Sequence, residues 1–282
     1  MSLTITRKSN AGVGLPYIHP LRRSKSFFKY LALASAFSLA NCALASDSNH
    51  AKPEIKQIRL GTSNAFLIKS DSKNILIDTG EKSDLAALLA ALATEGVPVE
   101  KLTSVILTHG HHDHAGLAAE IKRRSGAQLI VGAGDAGMTH AGHDDELKPT
   151  NLMARILKRF AIDPAYEGVV ADVQVDTTLD LNPFGVPGRA VQMPGHTAGS
   201  LVVVLDDGRA VVGDIMLGGW LGGAMFADSP GEHYFQADQA RNHDNIVALL
   251  KQTIHTFYLG HGGPVTRAAV LKAFDLADPQ QK

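Results

Sequence analysis

Apolar positions rich in β-branched residues and leucine, with no proline among them, recur through residues 56 to 61, 63 to 69 and 73 to 78 and predict three short strands. The period then lengthens from two to 3.6. Leu85, Leu88, Leu89 and Leu92 share one face of a helix over about 83 to 94, with Ser83 as its N-cap and Gly96 as its end. The run Ser104-Val105-Ile106-Leu107 starts a buried strand expected over 104 to 109. Leu117, Ala118 and Ile121 form the inner face of the helix after it, which Gly126 ends. The second half repeats this alternation, with strands at about 189 to 193, 200 to 206 and 209 to 214. Asp206-Asp207-Gly208 is the hairpin turn between the last two. Helices at about 238 to 252 and 265 to 276 close the domain.

Two segments interrupt this frame. Residues 132 to 168 read as a helical insertion in which Leu152, Met153, Ile156, Leu157 and Phe160 make a stripe at helical spacing. Such a stripe is expected to face the core, the alternative being a lid over a site. His140, His143, Asp144 and Asp145 beside it read as a solvated charged loop rather than a third metal site. The glycine-rich stretch Gly218 to Phe226 bears the only tryptophan. It reads either as a mobile loop whose aromatic tucks into the core or as an apolar substrate wall made by Trp220, Met225 and Phe226.

The chemistry is concentrated after the strand at 104 to 109. His109, His111, His112 and His114, with Asp113, put four imidazoles and a carboxylate into six positions. Neutral imidazole is the commonest zinc ligand and suits iron as well, and carboxylates complete such a site. His109 and His111 leave the strand on one side and can converge on one ion, while Asp113 and His114 at the next helix start can point at a second. Further ligand types stand at glycine-bounded strand exits: His196 in Pro194-Gly195-His196-Thr197, Asp214 after Ala210-Val211-Val212-Gly213, and His261 in Gly260-His261-Gly262-Gly263.

This set resembles the metallo-β-lactamase-fold hydrolase superfamily, whose signature is His-x-His-x-Asp-His followed by a His, an Asp and a final His. The likeness runs from about residue 55 to about 274 and includes the early strand-end motif Ile75-Leu76-Ile77-Asp78-Thr79-Gly80. The resemblance implies an α+β chain, a four-layer αβ/βα sandwich with metals at one edge between two sheets. It implies that His109, His111 and His196 hold one divalent ion, that Asp113, His114 and His261 hold a second, and that Asp214 bridges them. Asp78 would orient a ligand imidazole from behind. Zinc is the first fit, with iron and manganese also compatible.

Outside that frame, residues 1 to 29 carry six basic residues and no acid, followed by the apolar run Tyr30 to Ala40 and by Ala43-Leu44-Ala45. This reads as a secretory signal peptide over 1 to 45, leaving a hydrolase domain at 46 to 282 in the periplasm or outside the cell. Leu39-Ala40-Asn41-Cys42 approximates a lipoprotein box, so membrane attachment is expected only with lipid on Cys42; Arg22-Arg23 ahead of Phe27-Phe28 loosely resembles a twin-arginine signal. Cleavage removes the only cysteine and six of 27 basic residues while leaving all 28 acidic ones, for a net charge of −7. No basic patch with interleaved aromatics appears, so a small-molecule substrate is expected and a nucleic acid is not.

Two divalent ions sharing a water lower its pKa toward neutrality and so supply a metal-bound hydroxide, with Asp113 and Asp214 as the carboxylates next to the reaction. The expected activity is hydrolysis of an ester, thioester or lactone carbonyl, because a bridging Asp214 resembles the glyoxalase II and lactonase branches. A cysteine-free metallo-β-lactamase is the alternative. A mononuclear iron dioxygenase and a non-catalytic metal-binding envelope protein come behind both.

Overall fold

Odd and even positions of the strands are buried against different partners, and that sets the architecture. In the computed structural model of the protein, which describes residues 52–70, 73–159 and 165–280, Phe66, Ile68, Ile75, Ile77, Ile106 and Ile130 face one core cluster. Their neighbours Leu67, Leu76, Val105 and Leu129 face another. A strand buried on both faces must lie in an inner layer. The signal-peptide segment, Cys42 and Phe160 lie outside the described residues.

The first sheet is built from β1 (Glu54–Arg59), β2 (Asn64–Lys69), β3 (Asn74–Ile77), β4 (Ser104–Ile106), β5 (Gln128–Gly132) and β6 (Val173–Val175), in that spatial order. β1 to β3 are antiparallel, and β3 to β6 run parallel. Helices α1 (Leu85–Thr94), α2 (His112–Ala115) and α3 (Ala118–Ser125) connect them. Leu88, Leu92, Leu117, Ala118 and Ile121 pack on the sheet's outer face. Gly126 ends α3 in the left-handed conformation, as its sequence position predicts.

Helices α4 (Ala136–Ala141) and α5 (Leu152–Lys158) follow β5. Beyond β6, β7 (Thr178–Asp180), β8 (Gly188–Gln192), β9 (Leu201–Leu205) and β10 (Arg209–Gly213) form the second sheet with two later strands, β13 (Thr256–Leu259) and β14 (Val265–Thr266); its spatial order is β14-β13-β10-β9-β8-β7. Leu201, Val203, Leu205 and Val211 meet the first sheet. Val202, Val204, Ala210 and Val212 pack under α6 (Gln239–Leu250) and α7 (Arg267–Ala273) through Ile246, Leu249 and Val270. Helix, sheet, sheet and helix stack in the four layers expected.

Three expectations change. Helix α1 is entered through a turn at Lys82–Asp84, where Glu81 and Asp84 cap each other reciprocally, so Ser83 is not the cap. Residues 217 to 231 are an antiparallel hairpin of β11 (Leu217–Trp220) and β12 (Met225–Gly231), not a loop, and their Trp220, Met225 and Phe226 stand exposed rather than tucked into the core. In α5, Leu152, Met153 and Ile156 also face outward while Ala154 turns in. The helix has only seven residues, capped by Asn151, and among the described residues the isolated bridge beside it, Pro149 with Phe235, lies at its entry rather than on its apolar face.

Candidate metal centre

Every ligand residue expected from the sequence stands where a strand gives out. His109, His111, Asp113 and His114 follow β4, His196 follows β8, Asp214 follows β10 and His261 follows β13. Carboxyl ends of strands are where such folds gather their ligands. β4 stops at Ile106, short of the 109 expected, so His109 and His111 are set by a loop and not by strand alternation. That loop is clamped at Gly110, whose N–H donates to Asp135 Oδ2 at 3.0 Å and whose carbonyl accepts from Tyr166 Oη at 2.5 Å.

The side chains converge. His196 Nε2 is 3.1 Å from His111 Nδ1, and His114 Nε2 is 3.4 Å from His261 Nε2. Asp113 Oδ2 lies 3.3 Å from His261 Nε2 and 3.7 Å from His114 Nε2. Asp214 stands between the two groups: its Oδ2 is 3.2 Å from His261, 3.7 Å from His196 and 3.9 Å from His109, and its Oδ1 is 3.6 Å from His114. Room for that carboxylate depends on Gly260, where a Cβ would come within 2.0 Å of Asp214 Oδ1.

The outward nitrogens are tied down. His111 Nε2 contacts Asp145 Oδ1 at 2.8 Å, His114 Nδ1 contacts Asp78 Oδ2 at 2.9 Å, His196 Nδ1 faces the Phe235 carbonyl at 2.9 Å and His261 Nδ1 faces that of Thr62 at 2.6 Å. His109 Nδ1 meets Thr108 Oγ1 at 3.1 Å, and that hydroxyl donates to Asp78 Oδ2 at 2.7 Å. Asp78 therefore stands behind His114 as expected. With the outer nitrogens taken up by these contacts, the inner nitrogens of five imidazoles turn toward one another, an arrangement that a cation satisfies. His109 Nε2 and Asp214 Oδ1 are buried without a hydrogen-bond partner among the described residues. Buried polar atoms of that kind require an account, and a metal supplies one.

Electrostatics point the same way. Burial, helped by neighbouring imidazoles, holds His109 and His196 well below the usual histidine range. Burial also opposes charge on His114, but Asp113, Asp214 and Asp78 outweigh it and push that group up to about 9. His261 is driven well up against its burial by Asp214 and Asp113. Against burial, His114 and His261 hold Asp113 and Asp214 well below the carboxylate range. Among the described residues, four overlapping groups bring their donor atoms within 4.8 Å of one another: His109 with His111 and His196, Asp113 with His114 and His261, His109 with His114 and Asp214, and His196 with Asp214 and His233.

The sequence matches the family described as the metallo-beta-lactamase superfamily over residues 58–261. The chain belongs to that superfamily. A beta-lactamase-like protein 2 homolog of Drosophila melanogaster is 30% identical over 178 residues, 58% of this chain and 50% of its own. A hydroxyacylglutathione hydrolase of Rhodopseudomonas palustris strain BisB5 is 30% identical over 128 residues, 45% of this chain and 38% of its own. A hydroxyacylglutathione hydrolase of Acidiphilium cryptum is 28% identical over 213 residues, 75% of this chain and 69% of its own. The chain thus spans half or less of the length of the first two. Among solved structures, a subclass B3 metallo-beta-lactamase of Bradyrhizobium japonicum shares the fold at 21% identity with a TM-score of 0.53, covering 74% of this chain and 75% of that one. The beta-lactamase from Chitinophaga pinensis does so at 20% identity with the same TM-score, covering 74% and 76%.

For a member of the metallo-beta-lactamase superfamily, three features of this site carry no signal in the sequence motif. Of the residues expected in a solvated loop, His140, His143 and Asp145 are exposed, but Asp144 is buried, where it accepts from His112 N and faces its Nδ1, both at 2.7 Å, while Asp145 backs His111. Asp135 is buried and accepts from Gly110 N, Thr197 Oγ1 and Gly199 N, so it joins the His109–His111 loop to the His196 loop. His233, buried beside Asp214, lies 3.2 Å from its Oδ2.

Proposed function

We propose that this chain is an exported, dinuclear metal-dependent hydrolase that opens an ester, thioester or lactone carbonyl. The placement of Asp214 carries the reading, because one carboxylate reaches both the His109–His196 side and the His114–His261 side within 3.9 Å. His109, His111 and His196 would hold one ion, Asp113, His114 and His261 the other, with Asp214 between them; zinc fits this donor set first, iron or manganese next. When bound, such a pair brings the pKa of a shared water toward neutrality and polarises a carbonyl oxygen.

The chain's own residues supply the rest. Asp113 has the most exposed side chain of the predicted ligands, at 18%, so its carboxylate faces the solvent side, where a proton can be passed to a leaving group. An open groove of about 510 Å³ is lined by residues that include Met153, Leu217, Trp220, Phe226, Glu232 and Tyr234, the last two flanking His233 in the chain. Its exposed aromatic rings suit an apolar acyl or ring substituent. Met225, although exposed, is not among its lining residues. The hydrolase names of the bacterial relatives support hydrolysis, and the signal-peptide pattern of residues 1 to 45 supports work in the periplasm or outside the cell. No helix among the described residues is long and apolar enough to cross a membrane.

β-Lactam hydrolysis is the second reading, favoured by the fold shared with β-lactamases. A panel of lactones, acyl thioesters and β-lactams, each with and without chelator, separates the two. Chelator-sensitive turnover led by lactones or thioesters with apolar acyl groups is expected. Turnover led by β-lactams moves the assignment to the second reading, and turnover indifferent to chelation contradicts both.

A further inference from the structure

His233 belongs to no part of the ligand motif, yet it has the same two-sided environment as the residues that do. It follows the β11–β12 hairpin and is buried. Its Nδ1 lies 3.0 Å from the Phe235 carbonyl, the same oxygen that takes His196 Nδ1 at 2.9 Å. Its Nε2 points inward to 3.2 Å from Asp214 Oδ2, and its ring stands edge-on to His196 with centroids 4.6 Å apart. Two donors on one zinc-like ion, each about 2.1 Å from it, sit about 3.4 Å apart at a tetrahedral angle. The His233–Asp214 separation is of that size, as are those of His196 with His111 and of His261 with Asp214.

Resting on the dinuclear reading above, we infer that His233 is a further metal ligand, joining His196 and Asp214 on the histidine-rich side of the centre through its Nε2. A competing arrangement exists, because the Phe235 N–H also approaches His233 Nδ1, at 3.2 Å. Accepting that bond would leave the proton on Nε2 and make His233 a hydrogen-bond donor to Asp214. The carbonyl contact is the shorter, and the carbonyl it uses already orients a ligand imidazole. His233 thereby ties the hairpin that carries Trp220 and Phe226 to the metal centre.

Cobalt(II) serves as the probe. Each ligating imidazole keeps one N–H on its outer nitrogen, which appears as an exchangeable, strongly shifted proton resonance in the cobalt-loaded protein. Six are expected in the wild type, from His109, His111, His114, His196, His233 and His261, and five in His233→Gln. The visible cobalt bands should also intensify in that variant as coordination number falls. Glutamine keeps an N–H that can reach Asp214, so a mere hydrogen-bonding role predicts an unchanged spectrum. Five resonances in the wild type, or identical spectra for wild type and His233→Gln, would overturn the inference while leaving the two-ion reading intact. Failure of the wild type to bind two cobalt ions per chain would instead overturn that reading. Counting resonances in the wild type needs no variant to fold.

Discussion

Asp78 shows how much a single residue behind the site can control. Its backbone is held at φ 58°, a left-handed conformation that costs an L residue about 1 to 2 kcal/mol and that aspartate tolerates better than most. In that conformation its carboxylate accepts from Thr108 N and Thr108 Oγ1, both at 2.7 Å, and meets His114 Nδ1 at 2.9 Å. Asp78→Ala should lower metal affinity about 10- to 100-fold while the chain stays folded, read by competition with a chromophoric chelator. Unchanged affinity would mean that His114 needs no orientation from behind. At this scale the sequence was most legible, since metal ligands require particular side chains and those stand at glycine-bounded strand exits. His233 was not legible, because its partners Asp214 and His196 lie 19 and 37 residues away and no short-range spacing marks it.

Elements were legible where periodicity follows burial. Helix α3 buries Ala118 and Ile121 as predicted, and β3 buries Ile75, Leu76 and Ile77 on both faces. Periodicity failed in α5, where the same apolar spacing faces outward, because a stripe states that a face is apolar and not what covers it. Glycine content also misled at β11 and β12, which pair in spite of it. Connections between elements were invisible, and Asp135 is the clearest case. Asp135→Ala leaves the Gly110 and Gly199 amides and the Thr197 hydroxyl without their acceptor. A loss of about 3 kcal/mol or more is expected in urea unfolding, with reduced metal retention as the two histidine loops separate. A loss below about 1 kcal/mol would mean that water replaces the carboxylate at no cost.

For the whole molecule, the centre couples metal, protons and charge. His114, pushed up to about 9, holds its second proton at pH 7 when no metal competes, and Asp214 and Asp113 raise His261 in the same direction. A raised imidazole favours the metal-free fold fully below its unfolded value near 6.5, and that contribution is lost as pH rises through about 9. Metal uptake should run the opposite way, strengthening as pH rises from 6 to 9 and releasing protons at pH 7, that of His114 among them. Calorimetric titration in buffers of different ionisation enthalpy counts those protons, and release of none would show that His114 was already neutral. The four-layer fold was legible because strand and helix periods alternate through the chain; the lining of its open groove was not, because that depends on how distant segments meet. The most direct test of the account is elemental analysis of protein purified without chelator or added histidines, set beside His111→Ala. Two divalent ions per wild-type chain are predicted, falling by at least one in the variant with its circular dichroism unchanged. A wild-type chain that holds none, or a variant that keeps both, would contradict the metal centre built here around His109, His111, His196 and Asp214.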